Sequence, residues 1–199
     1  MRRLPGLFLA LLVALLLGAC TTVAKVEGEQ TVRGKLTLDV PAAWNRIDDP
    51  WSSEPYDTWT QEGLPLDHLR LWGGVKSGQP LVSKPMVFFR WSDEKDARVP
   101  TFRSGLPPDK LVTLFEELYA LSGTVRVTKV EPTVFAGHRG VRFEFSLARR
   151  GDDLLLRGVA WVAPNGDELY AATFLAPELG FYSRLLPMAE AVVKTARVR

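Results

Sequence analysis

Residue types that commonly carry out chemistry are scarce in this chain. Histidine occurs only at His68 and His138, and cysteine only at Cys20. Catalytic triads and metal sites need several such groups, and phosphate-binding loops need glycines at fixed spacing. The patterns Gly-x-Ser-x-Gly, His-Glu-x-x-His and Gly-x-Gly-x-x-Gly, and a phosphate-binding P-loop, are absent from the sequence. The chain is therefore predicted not to be an enzyme, and we expect neither a cofactor nor a metal site.

The two histidines are predicted to have structural roles. His68 follows Asp67 in a segment of alternating apolar and polar residues, where neighbouring side chains point to opposite faces of a strand. These two residues are therefore not expected to form a catalytic pair. His138 lies in a turn flanked by Gly137 and Gly140. The alternative is a hydrolase with an unrecognised site built from His68, Asp67 or nearby serines.

An insertion rich in aromatic residues separates a predicted hairpin, with strands over residues 56–60 and 66–72, from the first predicted helix. Residues 84–91 read Lys-Pro-Met-Val-Phe-Phe-Arg-Trp. Aromatic residues, Met and Arg are enriched at protein contact surfaces, so Phe88 and Trp91 are the predicted partner-binding residues. The alternative is an edge strand that buries Val87 and Phe89 against the helix. Phe88 and Phe89 are expected on opposite faces, with Phe89 in the core.

The first twenty residues have the three parts of a secretory signal peptide. Two arginines precede an uninterrupted apolar run over residues 7–17, and a short Gly-Ala-Cys segment follows it and ends at Cys20. With a rise of about 1.5 Å per residue, a helix of this length covers only about half of a hydrocarbon core roughly 30 Å thick. A permanent transmembrane helix is therefore not expected here.

The segment Leu17-Gly18-Ala19-Cys20 resembles the lipobox of bacterial lipoproteins. In that family the cysteine sulfur receives diacylglycerol, a dedicated peptidase cuts before the cysteine, and the new amino group is often acylated. The resemblance implies a membrane-anchored envelope protein lipidated at Cys20. Thr21 stands where aspartate retains such proteins at the inner membrane, which implies the outer membrane and a domain facing the periplasm. The alternative is ordinary secretion with cleavage after Ala24.

Beyond this segment the composition indicates a short tether and one folded domain. Residues 21–31 are polar and lack periodicity, and fully extended they would reach at most roughly 40 Å. The predicted division is a signal peptide over residues 1–19, the lipidated cysteine with its tether over 20–31, and a single domain over 32–199. Basic residues number 25 and acidic residues 23, and the excess disappears without the two N-terminal arginines. No nucleic-acid interface is therefore expected.

Hydrophobic periodicity in the domain predicts strands and two helices. Alternation of apolar and polar residues predicts strands over residues 32–40, 56–60, 66–72, 124–135, 139–147, 154–163 and 168–175. The first strand is expected to end at Pro41. Apolar residues at helical spacing predict one helix between Pro108 and Gly123 and another over residues 177–196.

This order of elements, with the Pro41-Ala42-Ala43-Trp44 turn after the first strand, resembles the PsbP-like α/β/α sandwich. That fold is shared by photosystem II extrinsic subunits, a Ran-binding nuclear import factor and many bacterial envelope lipoproteins. The resemblance implies an α+β fold with an antiparallel sheet of about six or seven strands flanked by helices. Its members mostly bind or scaffold rather than catalyse, but it assigns no binding residue in this chain. We therefore expect a non-catalytic envelope lipoprotein that binds a protein or cell-wall partner.

Overall fold

The computed structural model describes residues 22–49, 52–64, 66–83 and 99–199. Over these residues one antiparallel sheet is covered by two α-helices. The helices are α1 (Pro108–Ala120) and α2 (Ser183–Val193). The strands are β1 (Thr22–Val32), β2 (Leu36–Asp48), β3 (Tyr56–Thr60), β4 (His68–Lys76), β5 (Gly123–Phe135), β6 (His138–Arg149), β7 (Leu155–Asn165), β8 (Glu168–Pro177) and β9 (Arg197–Val198).

The strand order is β1-β2-β3-β4-β8-β7-β6-β5, and the short strand β9 pairs with the beginning of β2. Strands β5 to β8 form the predicted meander, and β8 joins it to β4 at the centre of the sheet. The sheet has nine strands over the described residues, where about six or seven were expected, because β1 and β9 were not predicted.

The predicted tether is wrong for most of its length. Residues 22–32 form β1, which pairs with β2 from Thr22 opposite Asp48 to Val32 opposite Leu36. Val26 and Val32 are buried in the core, and the polar residues between them are more exposed. An edge strand needs apolar residues on one face only, and a register shift after Val26 breaks their alternation. The polar composition of residues 22–31 therefore predicted a free tether, although these residues are paired in a strand.

The predicted end of the first strand at Pro41 is also wrong, since β2 continues to Asp48. Val26 of β1 is paired with Trp44, and Gly28 is paired with Val40. Residues 41–43 of β2 therefore lie opposite the single residue Glu27 of β1. Such a bulge leaves a position without ladder hydrogen bonds, and a proline, which has no N–H to donate, is tolerated there. Pro41 is exposed at this bulge, and Trp44 beyond it returns to the core.

The sheet is covered on both faces. β8 shows this most clearly because nine of its ten residues are buried. Leu169, Ala171 and Leu175 belong to the apolar cluster that includes α1, and alternate residues from Tyr170 to Phe174 belong to the cluster that includes α2. Side chains of a strand alternate between faces, so a strand buried throughout must lie between two layers. The predicted α+β sandwich is confirmed.

The second helix begins later than the sequence pattern indicates. It was expected from residue 177, but α2 starts at Ser183 after a single wide turn over Glu178–Tyr182. Gly180 in this turn has a φ of 79°, a left-handed conformation that interrupts an α-helix and that glycine adopts without strain. The apolar stripe of α2 nevertheless packs on the sheet as predicted, through Leu185, Ala189 and Val192.

Candidate functional site

A cavity of about 260 Å³ lies between α1 and the sheet, at the carboxyl end of the helix. Its walls are formed by leucines from one loop and three strands, namely Leu64, Leu147, Leu156 and Leu175. Among the described residues, its polar lining includes His68, Arg70, Tyr119, Ser122 and Arg149. Apolar walls with a few converging polar groups are typical of small-molecule sites.

His68 and Arg70 reach this cavity because side chains alternate along β4. Leu69 and Leu71 are fully buried in the cluster on the α2 face. His68, Arg70 and Trp72, which alternate with these leucines, must therefore face α1. One strand thus places an imidazole and a guanidinium side by side beneath the end of a helix.

The helix leaves this part of the sheet open because it ends early. Trp72, the next residue of β4 on the same face, packs edge-on against Phe115 of α1, with ring centroids 5.4 Å apart. Its indole Nε1–H donates a hydrogen bond of 2.9 Å to the carbonyl of Leu81. α1 ends at Ala120 and does not extend over His68 and Arg70, which precede Trp72 on the same face of β4 and line the cavity.

Hydroxyl and aromatic groups surround the Arg70 guanidinium. Its Cζ lies 4.9 Å from the centre of the Tyr56 ring. Thr173 is the β8 residue paired with Arg70, and its hydroxyl lies 2.5 Å from that of Tyr119. Burial raises the pKa of Tyr119, and Arg70 and the Thr173 hydroxyl oppose this effect. Tyr119 is therefore a neutral hydrogen-bonding group beside a permanent cation.

Two buried nitrogen atoms at this cavity have no hydrogen-bond partner among the described residues. They are Nε2 of His68 and Nε of Arg70. The other three such atoms belong to Trp44, Trp59 and Tyr182, in the cluster on the α2 face. Buried polar atoms are normally paired, and leaving one unpaired costs about 1–3 kcal/mol. Both atoms belong to side chains that line one cavity, which makes these side chains candidates for hydrogen bonds to a ligand.

Burial, followed by the charge of Arg70, lowers the pKa of His68 well below its usual value, so the ring is neutral at pH 7. In the unfolded chain the same ring titrates near pH 6.5. Below about pH 6.5 the unfolded chain therefore binds a proton at His68 that the folded protein does not bind. The free energy of unfolding consequently decreases as the pH falls from about 6.5 toward the pKa of His68 in the folded protein.

We therefore expect the free energy of unfolding to fall more steeply in the wild type than in His68→Gln between pH 7.5 and pH 5. The difference should be at most about 2 kcal/mol, because each pH unit below 6.5 contributes about 1.4 kcal/mol. Urea denaturation at the two pH values measures it. Equal losses in both proteins would show that His68 is not buried in its neutral form.

Asp67 does not belong to this cavity. Its buried carboxylate accepts hydrogen bonds from the Thr60 hydroxyl (2.8 Å) and from the backbone N–H groups of Gln61 (2.7 Å) and Glu62 (2.7 Å). These bonds hold the loop between β3 and β4. The prediction that Asp67 and His68 do not form a pair is confirmed, because this carboxylate is committed to the loop.

The second histidine lies elsewhere in the fold. His138 begins β6 and is paired with Phe135 across the β5–β6 hairpin. It is half-buried and does not line the cavity of His68. The two histidines therefore do not act on a common ligand.

A larger groove of about 500 Å³ adjoins the cavity and shares Leu64 and Arg70 with it. Its other charged side chains include two ion pairs, Arg46 with Asp48 at 2.7 Å and Arg33 with Asp57 at 3.3 Å. Burial raises the pKa of Asp57, and the two arginines oppose this effect. Among the described residues of this groove, four acidic side chains face three arginines, so the groove is less suited to binding an anion than the cavity.

The site residues predicted from the sequence were different ones. Cys20, Phe88 and Trp91 lie outside the described residues, so the lipidation site and the partner-binding surface stay predictions. Neither Arg70 nor Tyr119 was among the predicted site residues. Arg70 could have been predicted, because it follows His68 by two positions in an alternating strand and must lie on the same face.

The described part of the chain contains no group of three or more side chains suited to holding a metal ion. Within the same residues, no helix has both the length and the apolar character needed to span a bilayer.

Comparison with known proteins finds similarity at the level of fold. No model of a known protein family matches the chain, and no curated protein does. The cyanobacterial PsbP protein (CyanoP) of Synechocystis is 12% identical, with a TM-score of 0.53 over 92% of this chain and 95% of that chain. The predicted PsbP-like fold is therefore confirmed.

Two further structures are similar to a lower degree. LpqN, involved in cell envelope biogenesis of Mycobacterium tuberculosis, is 12% identical, with a TM-score of 0.44 over 88% of this chain and 91% of that chain. A protein of Bacteroides thetaiotaomicron is 11% identical, with a TM-score of 0.49 over 87% of this chain and 49% of that chain. Similarity at this level does not transfer a function to this chain.

Proposed function

We propose that this protein is a lipid-anchored, non-catalytic binding domain of the bacterial envelope and that the cavity at the end of α1 is its ligand site. The observation that carries the proposal is the pair of unpartnered buried atoms, His68 Nε2 and Arg70 Nε, in one leucine-walled cavity. A ligand that accepts a hydrogen bond from the guanidinium removes a cost that the empty protein bears.

The proposed anchor is Cys20, and the fold would hold the domain close to it. β1 begins at Thr22, so Thr21 alone separates the cysteine from the sheet. Two residues span at most about 7 Å, far less than the roughly 40 Å expected for a free tether. Thr22 pairs with Asp48, which lines the groove beside the cavity. In this arrangement the ligand site belongs to the membrane-proximal part of the domain.

The proposed location is the periplasmic side of the outer membrane, on the basis of Thr21 after the lipobox. A contact with an envelope protein or with the cell wall through Phe88 and Trp91 is part of the same proposal.

A hydrolase is the second candidate because Ser122 and His68 line the same cavity. Hydrolysis by a serine needs a histidine that accepts the hydroxyl proton and a third group that orients the ring. The His68 Nε2 has no hydrogen-bond partner among the described residues, and the Asp67 carboxylate is committed to the loop. The arrangement therefore favours binding over hydrolysis.

The proposal predicts that a small molecule accompanies the protein when it is purified from its own envelope. Leu156→Trp should fill the cavity, whereas Leu155→Trp changes an adjacent, exposed residue of the same strand. After denaturation, mass spectrometry should find the same compound released from the wild type and from Leu155→Trp. Leu156→Trp should release at least about tenfold less, although overpacking also costs about 1–3 kcal/mol of stability.

Melting curves establish that each variant is folded before the comparison is made. Equal release from both tryptophan variants, or no compound from the wild type, would overturn the proposal. Cleavage of a chromogenic short-chain ester by the wild type, abolished in Ser122→Ala, would establish the hydrolase instead.

A further inference from the structure

We infer that the cavity of His68 and Arg70 binds a small carboxylate that carries an apolar chain, an inference that rests on the proposed function. It names the chemistry of the ligand, which the proposed function leaves open. Three properties of the cavity support it, namely its net charge, the position of its unpaired donor and the nature of its walls.

Among the described residues that line the cavity, Arg70 is the cation without an ion-pair partner. No described carboxylate is paired with Arg70, whose guanidinium lies over the Tyr56 ring. Arg149 also lines the cavity, but it forms an ion pair with Asp152, and its Nε donates to Oδ1 at 3.0 Å. The imidazole of His68 is neutral at pH 7. A ligand with a single negative charge balances Arg70, whereas a dianion would bring a second charge with no partner.

The unpaired donor favours a carboxylate among monoanions. The Nε of Arg70 is buried and lacks a hydrogen-bond partner among the described residues. A guanidinium presents parallel N–H groups that match the two oxygens of a carboxylate, and such charge-assisted bonds are about twice as strong as neutral ones. A bound carboxylate would accept from the Nε–H and from a neighbouring N–H of the same side chain.

The walls and the volume of the cavity indicate the polarity and the size of the rest of the ligand. The side chains of Leu64, Leu147, Leu156 and Leu175 offer apolar surface and no hydrogen bonds. The cavity volume is about 260 Å³. A water molecule occupies about 30 Å³ of liquid, so this space corresponds to roughly nine non-hydrogen atoms. Hexanoate, with its carboxylate and short alkyl chain, is of that size.

Isothermal titration calorimetry on the full lipidated chain in phosphatidylcholine nanodiscs, with empty nanodiscs as the blank, tests the inference. The probes are hexanoate, 1-hexanol, acetate and inorganic phosphate. Hexanoate should bind at least about tenfold more tightly than 1-hexanol, because only the carboxylate brings an opposite charge and a second oxygen for a bidentate pair with the guanidinium. Acetate should bind at least about tenfold more weakly than hexanoate, since each buried CH₂ contributes to affinity. Phosphate should show no saturable binding.

The matched variants are Arg70→Gln in the cavity and Arg126→Gln, which removes an exposed arginine of β5 outside the described cavity lining. Arg70→Gln should weaken hexanoate binding at least about tenfold and 1-hexanol binding by less than about threefold. Arg126→Gln should leave hexanoate binding within about threefold of the wild type. If Arg70→Gln does not fold, Arg70→Lys and the comparison of hexanoate with 1-hexanol on the wild type decide the question.

Equal affinities for hexanoate and 1-hexanol would overturn the inference, as would equal losses in the two arginine variants. If hexanoate does not bind but the purified protein releases another compound from the cavity, the inference fails and the proposed function stands. If hexanoate does not bind and no compound is released, both fail.

Discussion

Cys20→Ser is expected to abolish incorporation of a fatty-acid analogue and to remove the protein from the membrane fraction. Diacylglycerol transfer in the lipoprotein family uses the cysteine sulfur, and the chain has no second cysteine to replace it. Each buried CH₂ contributes about 0.8 kcal/mol to membrane affinity, so loss of two or more acyl chains ends durable anchoring. Metabolic labelling followed by fractionation of the envelope measures both effects.

Thr21→Ser is the matched control, because it alters the neighbouring residue and should retain the label. Absence of label from the wild type, with a mature N-terminus at Lys25, would instead establish ordinary secretion. The fold bears on this alternative, because cleavage after Ala24 would remove Thr22, Val23 and Ala24 from β1, where all three are paired with β2. Lipidation at Cys20 would keep the whole of β1 in the mature protein.

Asp67→Ala is expected to lower the free energy of unfolding by about 3–5 kcal/mol. The substitution leaves the donors of Thr60, Gln61 and Glu62 without their acceptor, and each unsatisfied group costs about 1–3 kcal/mol before water reaches it. Because this loop carries Leu64, which lines the cavity, the variant should also weaken ligand binding. Urea denaturation at pH 7.5 gives the change in stability.

Two further substitutions define the cause of that effect. Asp67→Asn keeps one carbonyl oxygen as an acceptor and should lose less stability than Asp67→Ala. Asp39→Ala removes an exposed carboxylate from β2 and should change the free energy of unfolding by less than about 0.5 kcal/mol. A loss below about 1 kcal/mol in Asp67→Ala would mean that the loop does not depend on this carboxylate.

Local sequence patterns were sufficient for most of the fold. The meander strands β5 to β8 and the helix α1 were predicted from the period of their apolar residues, because burial of one face imposes that period. Alternation along the strand also correctly placed Asp67 and His68 on opposite faces. β1 was not predicted, because this mostly polar segment forms a strand only through its pairing with β2. The predictions also failed at Pro41 and before Ser183, where a bulge and Gly180 change the local geometry.

The sequence by itself determined that His68 and Arg70 share a face of β4, because residues two apart in a strand always do. Only the tertiary structure decided what they face. The pairing of Arg70 with Thr173 and the early end of α1 bring Tyr119 to them, and β6, β7 and β8 supply three of the four leucine walls. Arg70 lies 49 positions before Tyr119 and 103 before Thr173. Contacts over such distances depend on strand order and register, which the local period of apolar residues does not determine.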